Sequence, residues 1–175
     1  KKYIGQKLKV ITWLWARTVK SPNPAYSNIE IPLVKSFEIS SKKGKEAVVE
    51  LSIEGNSWSF KVVKRKATAE EKKGTVTRSG ARCVFSGSPV PFTYLRDKFK
   101  QDGQKFRLMA VVAEGKRERV YLSPTSEIEE LAINIPSVPF SNVDISHWPG
   151  RTNVVEYGMT RFENLFTKRQ LLTLT

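Results

Sequence analysis

Few residues in this 175-residue chain could do covalent chemistry, since it holds one histidine, His147, and one cysteine, Cys83. Nucleophilic catalysis needs a nucleophile, a base and an orienting group within hydrogen-bond reach. His147 stands between Ser146 and Trp148 in a proline-rich stretch and reads as a surface or packing residue, not a base. Cys83, between Arg82 and Val84, reads as a buried structural thiol. Glu127, Glu129 and Glu130 open a short helix, where carboxylates suit the positive end of the dipole, and so do not form an acid/base pair. Neither G-x-x-x-x-G-K-[ST] nor G-x-G-x-x-G is present to cradle a phosphate. A single thiol excludes an intrachain disulfide and a zinc site built from several thiolates. The expectation is a chain that is not an enzyme by itself and carries no cofactor and no metal.

What the sequence offers instead is charge. The formal net charge is +13, and it is uneven: residues 1–122 carry 26 Lys plus Arg against 11 Asp plus Glu, a net of +15, whereas 123–175 carry 4 against 6, a net of −2. A basic lobe of this size attracts polyanions by counterion release, which makes nucleic acid the leading partner class. The candidates for contact lie at strand turns and knuckles: Arg17, Lys20, Lys35, Lys42, Lys43, Lys45, Lys64, Arg65, Arg78 and Arg82. Arginines there can fork to guanine edges, and lysines can follow phosphates. Trp13, Trp15, Trp58 and Phe60 fall within strand-like runs, where aromatics are expected in the core, not on a stacking surface.

These side chains need a scaffold, and a chain that is 39% hydrophobic and 27% charged has the composition of a folded protein. Lys7 to Val19 reads as a long strand, and Ser21 to Asn28 breaks it as a loop. Ile31 to Ser40, Glu46 to Ile53 and Trp58 to Lys64 read as three consecutive strands joined by short turns, a meander. Arg65 to Lys73 shows no apolar period and reads as a solvated excursion. Thr75 to Arg82 reads as one short strand, followed by a turn around Gly87, Pro89 and Pro91, then a helix over Thr93 to Lys100. Phe106 to Ala113 and Arg119 to Leu122 read as a hairpin, and Ser126 to Ile133 as a second helix. Pro136 to Asn153 reads as a surface linker. Thr160 with Glu163 and Thr167 with Gln170 fit capping boxes, predicting a helical turn and then a longer C-terminal helix.

The loop tetrad Asn23-Pro24-Ala25-Tyr26 is close to the N-P-P-Y motif by which amino-methyltransferases grip a flipped base, but position 25 is Ala and no cofactor-binding strand end precedes it. A wider likeness accounts for it. The blocks Trp13–Phe37, Gly74–Arg96, Arg107–Gly115 and Tyr157–Thr175, in that order, resemble the middle region of the large prokaryotic adenine-specific DNA methyltransferases that contain a zinc ribbon. In that family the first loop reads C-P-N-P-A-C and the second carries C-x-x-C, four thiolates at two knuckles. The matching positions here are Ser21, Tyr26, Cys83 and Ser86, so three of four ligands are replaced. The resemblance implies that ribbon-like knuckles persist without metal. It also implies that the catalytic motifs lie outside these residues, and that a methyltransferase catalytic domain is a partner.

The reading is therefore a β-rich α+β chain, an antiparallel meander with zinc-ribbon-like knuckles, a few short helices and a C-terminal helix. It divides into a basic domain over 1–122, a short helix and linker over 123–158, and a helical segment over 159–175. The expected role is a non-catalytic accessory region that binds and positions duplex DNA. Alternatives are an interaction module that packs on a methyltransferase core, and a free-standing single-strand or RNA binder, which would expose aromatics beside the basic face. No membrane partner is expected, and the expected location is the cytoplasm. The Lys1 start and the still-apolar end at Thr175 suggest a piece of a longer chain.

Overall fold

The computed structural model describes residues 3–136, 138–140 and 143–175. It is a β-rich α+β protein with three small antiparallel sheets. The first sheet has the order β10-β9-β1-β2, built from β1 (Lys9–Lys20), β2 (Glu30–Leu33), β9 (Lys105–Gly115) and β10 (Glu118–Leu122). The second is β3-β4-β5, from β3 (Glu38–Ser40), β4 (Ala47–Glu54) and β5 (Ser57–Val63). The third is β6-β7-β8, from β6 (Val76–Thr77), β7 (Gly80–Arg82) and β8 (Pro89–Pro91). Helices α1 (Ala69–Lys73), α2 (Phe92–Asp102), α3 (Ser126–Ile133) and α4 (Lys168–Leu174) complete it.

Strand β1 is the spine, because its longest partner is the distant β9, with Lys9 opposite Glu114 and Thr18 opposite Lys105. Alternation along an extended strand sends Ala16 and Val19 to opposite faces. Ala16 joins Val49, Trp58, Phe60 and Met109 in a core against the second sheet, and Val19 joins Ile31, Cys83, Val90, Leu95 and Phe99 in a core against the third sheet and α2. The first sheet is thus buried on both sides over this stretch, which explains why β1 and β9 are apolar with only partial alternation.

Three expected elements are corrected. The single strand over Ile31–Ser40 is two, β2 in the first sheet and β3 in the second. Buried Thr75 makes the division: its hydroxyl accepts from the Val34 N–H at 2.8 Å and donates to the Pro32 carbonyl at 2.8 Å, while its own N–H donates to the Val34 carbonyl at 2.7 Å. Those bonds satisfy the backbone that leaves one sheet for the other. The strand over Thr75–Arg82 is a hairpin, β6 and β7, with Thr77 opposite Gly80, and the expected turn at Pro89 and Pro91 is β8.

The excursion over Arg65–Lys73 contains α1. Thr68 Oγ1 accepts from the Glu71 N–H and the Glu71 carboxylate accepts from the Thr68 N–H, a capping box that an apolar-period search misses. Glu71 also takes two hydrogen bonds from the Arg65 guanidinium, which reaches Glu50 as well. The Arg65 hydrogen bonds hold the Glu71 carboxyl down at about 2. A carboxyl whose folded pKa is depressed adds stability that is complete above its unfolded value and is lost as pH falls toward the folded one. Glu71→Gln is accordingly expected to flatten the fall in urea midpoint between about pH 5 and pH 2; an acid limb as steep as the parent's would contradict this.

After Leu122 the chain stays tied to the sheets. Ser123 Oγ accepts from the Val62 N–H at 2.9 Å, and Glu129 on α3 accepts from the Leu108 N–H at 2.8 Å and from Arg107 Nε at 3.0 Å. Of the expected linker, Ser137, Ser141 and Asn142 lie outside the described residues, as does Lys1. Its remainder is anchored: Asp144 bridges Arg161, Ile145 bonds to Thr160, and a 3-10 turn over Asn153–Tyr157 packs on α2 with Arg96 paired to Glu156. Thr167 and Gln170 cap α4 as expected. The turn before it, Phe162–Leu165, is held by Asn164 Oδ1 accepting from the Arg161 N–H, in place of the expected Thr160–Glu163 box. α4 leaves Leu172 and Leu174 exposed and Leu171 half-buried.

Candidate nucleic-acid interface

The two knuckles come together. Pro24–Tyr26 is a 3-10 turn capped by the Asn23 side chain, which accepts from the Ala25 N–H at 2.9 Å. The facing turn closes with the Gly87 N–H on the Cys83 carbonyl at 2.9 Å. Ser21 Oγ lies 3.4 Å from Cys83 Sγ, both residues are buried, and Tyr26 stacks on Phe85 with centroids 5.4 Å apart. Burial alone would push the Cys83 thiol up. Hydrogen bonds from the Ser21 and Ser86 hydroxyls and from the backbone N–H groups of Ser86 and Phe85 outweigh it and hold the thiol below its ordinary value.

Ser21, Tyr26, Cys83 and Ser86 thus lie at two neighbouring turns, but they do not fit zinc. Two neutral hydroxyls and a ring packed on its neighbour replace three thiolates. Among the described residues no group of three or more His, Cys, Asp or Glu could hold a metal ion. Asn23 and Tyr26 are spent on the turn and its packing, so the tetrad forms a knuckle and offers no base-gripping surface.

Of the ten basic candidates, Arg65 is committed to Glu50 and Glu71, a use that sequence reasoning did not foresee. Among the described residues none of the others makes an ion pair or donates a side-chain hydrogen bond, and all are exposed. Lys42, Lys43 and Lys45 share the turn between β3 and β4, and Lys64 follows β5. Arg78 is at the tip of the β6–β7 hairpin and Arg82 ends β7, close enough to Glu70 to lower its pKa, although Lys73 contributes more. Arg17 and Lys20 project from β1, where Lys20 stands opposite Glu30, a carboxylate already engaged by Lys105 and Thr18.

Lys35 sits in the β2–β3 crossover and is brought beside Lys72 of α1, at the rim of an open groove of about 390 Å³. Trp15, Leu33 and Met109 form its apolar lining. Sequence reasoning missed Lys72, whose placement depends on the capping box of α1. It also misjudged two aromatics: Trp58 and Phe60 are in the core, but Trp13 and Trp15 are only half-buried and stack on each other, with centroids 6.3 Å apart and planes 23° apart. No sequence signal reports that the Arg169 guanidinium, from α4, lies 3.7 Å above the Trp13 ring.

Among the described residues no helix is long and apolar enough to cross a membrane. No family model matches the chain, and neither a curated protein nor a solved structure is similar to it.

Proposed function

We propose that the chain is a non-catalytic nucleic-acid-binding module whose exposed basic turns follow the backbone of duplex DNA, and that it is an accessory, target-positioning region of the kind found in adenine-specific DNA methyltransferases. One observation carries the binding half of this reading: in a chain of net charge +13, every basic candidate except Arg65 is exposed and uncommitted to an acidic partner among the described residues. Unpaired Lys and Arg on rigid turns can exchange condensed counterions for phosphates without first breaking an internal ion pair. The methyltransferase kinship rests on the sequence blocks, and the meeting of Ser21, Tyr26, Cys83 and Ser86 supports it. The reading includes a methyltransferase catalytic domain as partner and assigns no cofactor to this chain.

The lysine turn offers the direct test. Lys42→Gln, Lys43→Gln and Lys45→Gln together are expected to weaken binding to a blunt DNA duplex by about tenfold near physiological salt and to reduce the salt slope by up to about three phosphates. These side chains are exposed, so thermal stability should stay within about 0.5 kcal/mol of the parent. Unchanged affinity and slope would remove this turn from the interface.

A further inference from the structure

Strand β2 covers β1 only from Arg17 to Lys20, because the chain turns away after Leu33 to meet Thr75. Residues Lys9–Ala16 are therefore paired on the β9 side alone, and among the described residues their backbone makes no other hydrogen bond. The groove opens at this uncovered edge, with Trp15, Leu33 and Met109 inside and Lys35, Ser36 and Lys72 at the rim. Next to it half-buried Trp13 and Trp15 stack on each other, and the Arg169 guanidinium already covers Trp13, which leaves Trp15 as the indole nearest the groove.

These observations share one explanation. Flat indole faces take a planar ring by stacking, and ammonium groups at the rim take a phosphate. We infer that the groove and the Trp13–Trp15 platform hold an unpaired nucleotide of a bound nucleic acid, with its base stacked at Trp15 and its phosphate beside Lys35 and Lys72. This rests on the nucleic-acid-binding reading above and adds a subsite to it: the lysine turns follow the paired backbone, and the groove takes a nucleotide left unpaired at an end or a gap. An acidic peptide added along the open β1 edge would meet the same charges, but it would leave the indole faces unused. Lys72 already faces Glu38 at 3.7 Å, so Lys35, which has no such partner among the described residues, carries more of the phosphate contact.

The test compares labelled probes by anisotropy: a blunt DNA duplex, the same duplex with an oligothymidylate overhang, and an oligoglutamate of matching charge as competitor. The overhang is expected to tighten binding about tenfold over the blunt duplex. Trp15→Ala is expected to remove most of that gain while leaving blunt-duplex affinity within about twofold, Lys35→Gln to remove most of it with a smaller loss on the blunt duplex, and Trp15→Phe, which keeps a stacking ring, to retain part of it. Lys35 is exposed and outside the core, so its variant reads the subsite even where Trp15→Ala disturbs the strand. An overhang that adds nothing, or a gain that survives both Trp15→Ala and Lys35→Gln, would overturn the subsite while blunt-duplex binding still supports the module. Competition by oligoglutamate equal to that of the overhang strand would assign the groove to acidic peptides. No binding to any of the DNA probes would overturn both readings.

Discussion

Alanine at Gly74 is expected to destabilise the protein by roughly 3 kcal/mol, enough to lower the melting temperature by about 10 °C. Gly74 ends α1 at φ 63, a region that L-residues rarely occupy. A Cβ there would lie 2.2 Å from the Val34 carbonyl oxygen and 2.6 Å from the Lys35 carbonyl carbon. Both neighbours are backbone, so no rotamer change relieves the clash, and the carbonyl concerned accepts the Thr75 N–H. Relief would require parting α1 from the crossover that separates the first two sheets. Gly44 provides the control: its φ is 74 but nothing lies within 4 Å of the added atom, so Gly44→Ala should cost only the conformational strain of about 1 kcal/mol. Equal losses from the two substitutions in thermal melts would show that the close approach at Gly74 contributes nothing.

The second large effect is a gain. Cysteines placed together at Ser21, Tyr26 and Ser86 are expected to bind one Zn²⁺ with Cys83, whereas the parent binds none at these knuckles. In a tetrahedral thiolate site with bonds of about 2.3 Å the sulfurs stand roughly 3.8 Å apart, and Ser21 Oγ is already 3.4 Å from Cys83 Sγ. The backbone N–H groups that bond the Cys83 sulfur would support a thiolate there. Structural zinc contributes of the order of 10 kcal/mol of binding free energy in small zinc domains. Metal should therefore raise the melting temperature of the triple variant steeply and a chelator should lower it. A folded variant that takes up no zinc would count against the proposed ribbon ancestry and against the proposed kinship to the methyltransferase region.

Much of the scaffold was legible because long apolar runs report themselves. β1, β4, β5, β9 and β10 and helices α2, α3 and α4 all stand where period and capping residues place them, within a few residues. What was hidden depends on partners far away in sequence. Ile31–Ser40 reads as one strand because both of its halves have β-forming residues, and only Thr75, more than 40 residues on, divides it. α1 has too few residues to show a period, and its signal is the Thr68–Glu71 spacing alone. The same limit applies to the site. The free lysines of the β3–β4 turn follow from composition, but the diversion of Arg65 into two carboxylates requires β4 and α1 to meet. The exposure of Trp15 requires β2 to stop at Leu33. A strand aromatic is usually core, and Trp58 obeys that rule where Trp13 and Trp15 do not.

The central claim is that uncommitted positive charge on these turns binds the backbone of nucleic acid, and a salt series tests it most directly. Anisotropy of a labelled blunt duplex titrated with the unmodified protein should give an affinity that falls linearly in log–log form as salt rises, with a slope corresponding to several released counterions. A slope near zero, or no binding even at low salt, would contradict the account and leave the positive charge without a role in binding.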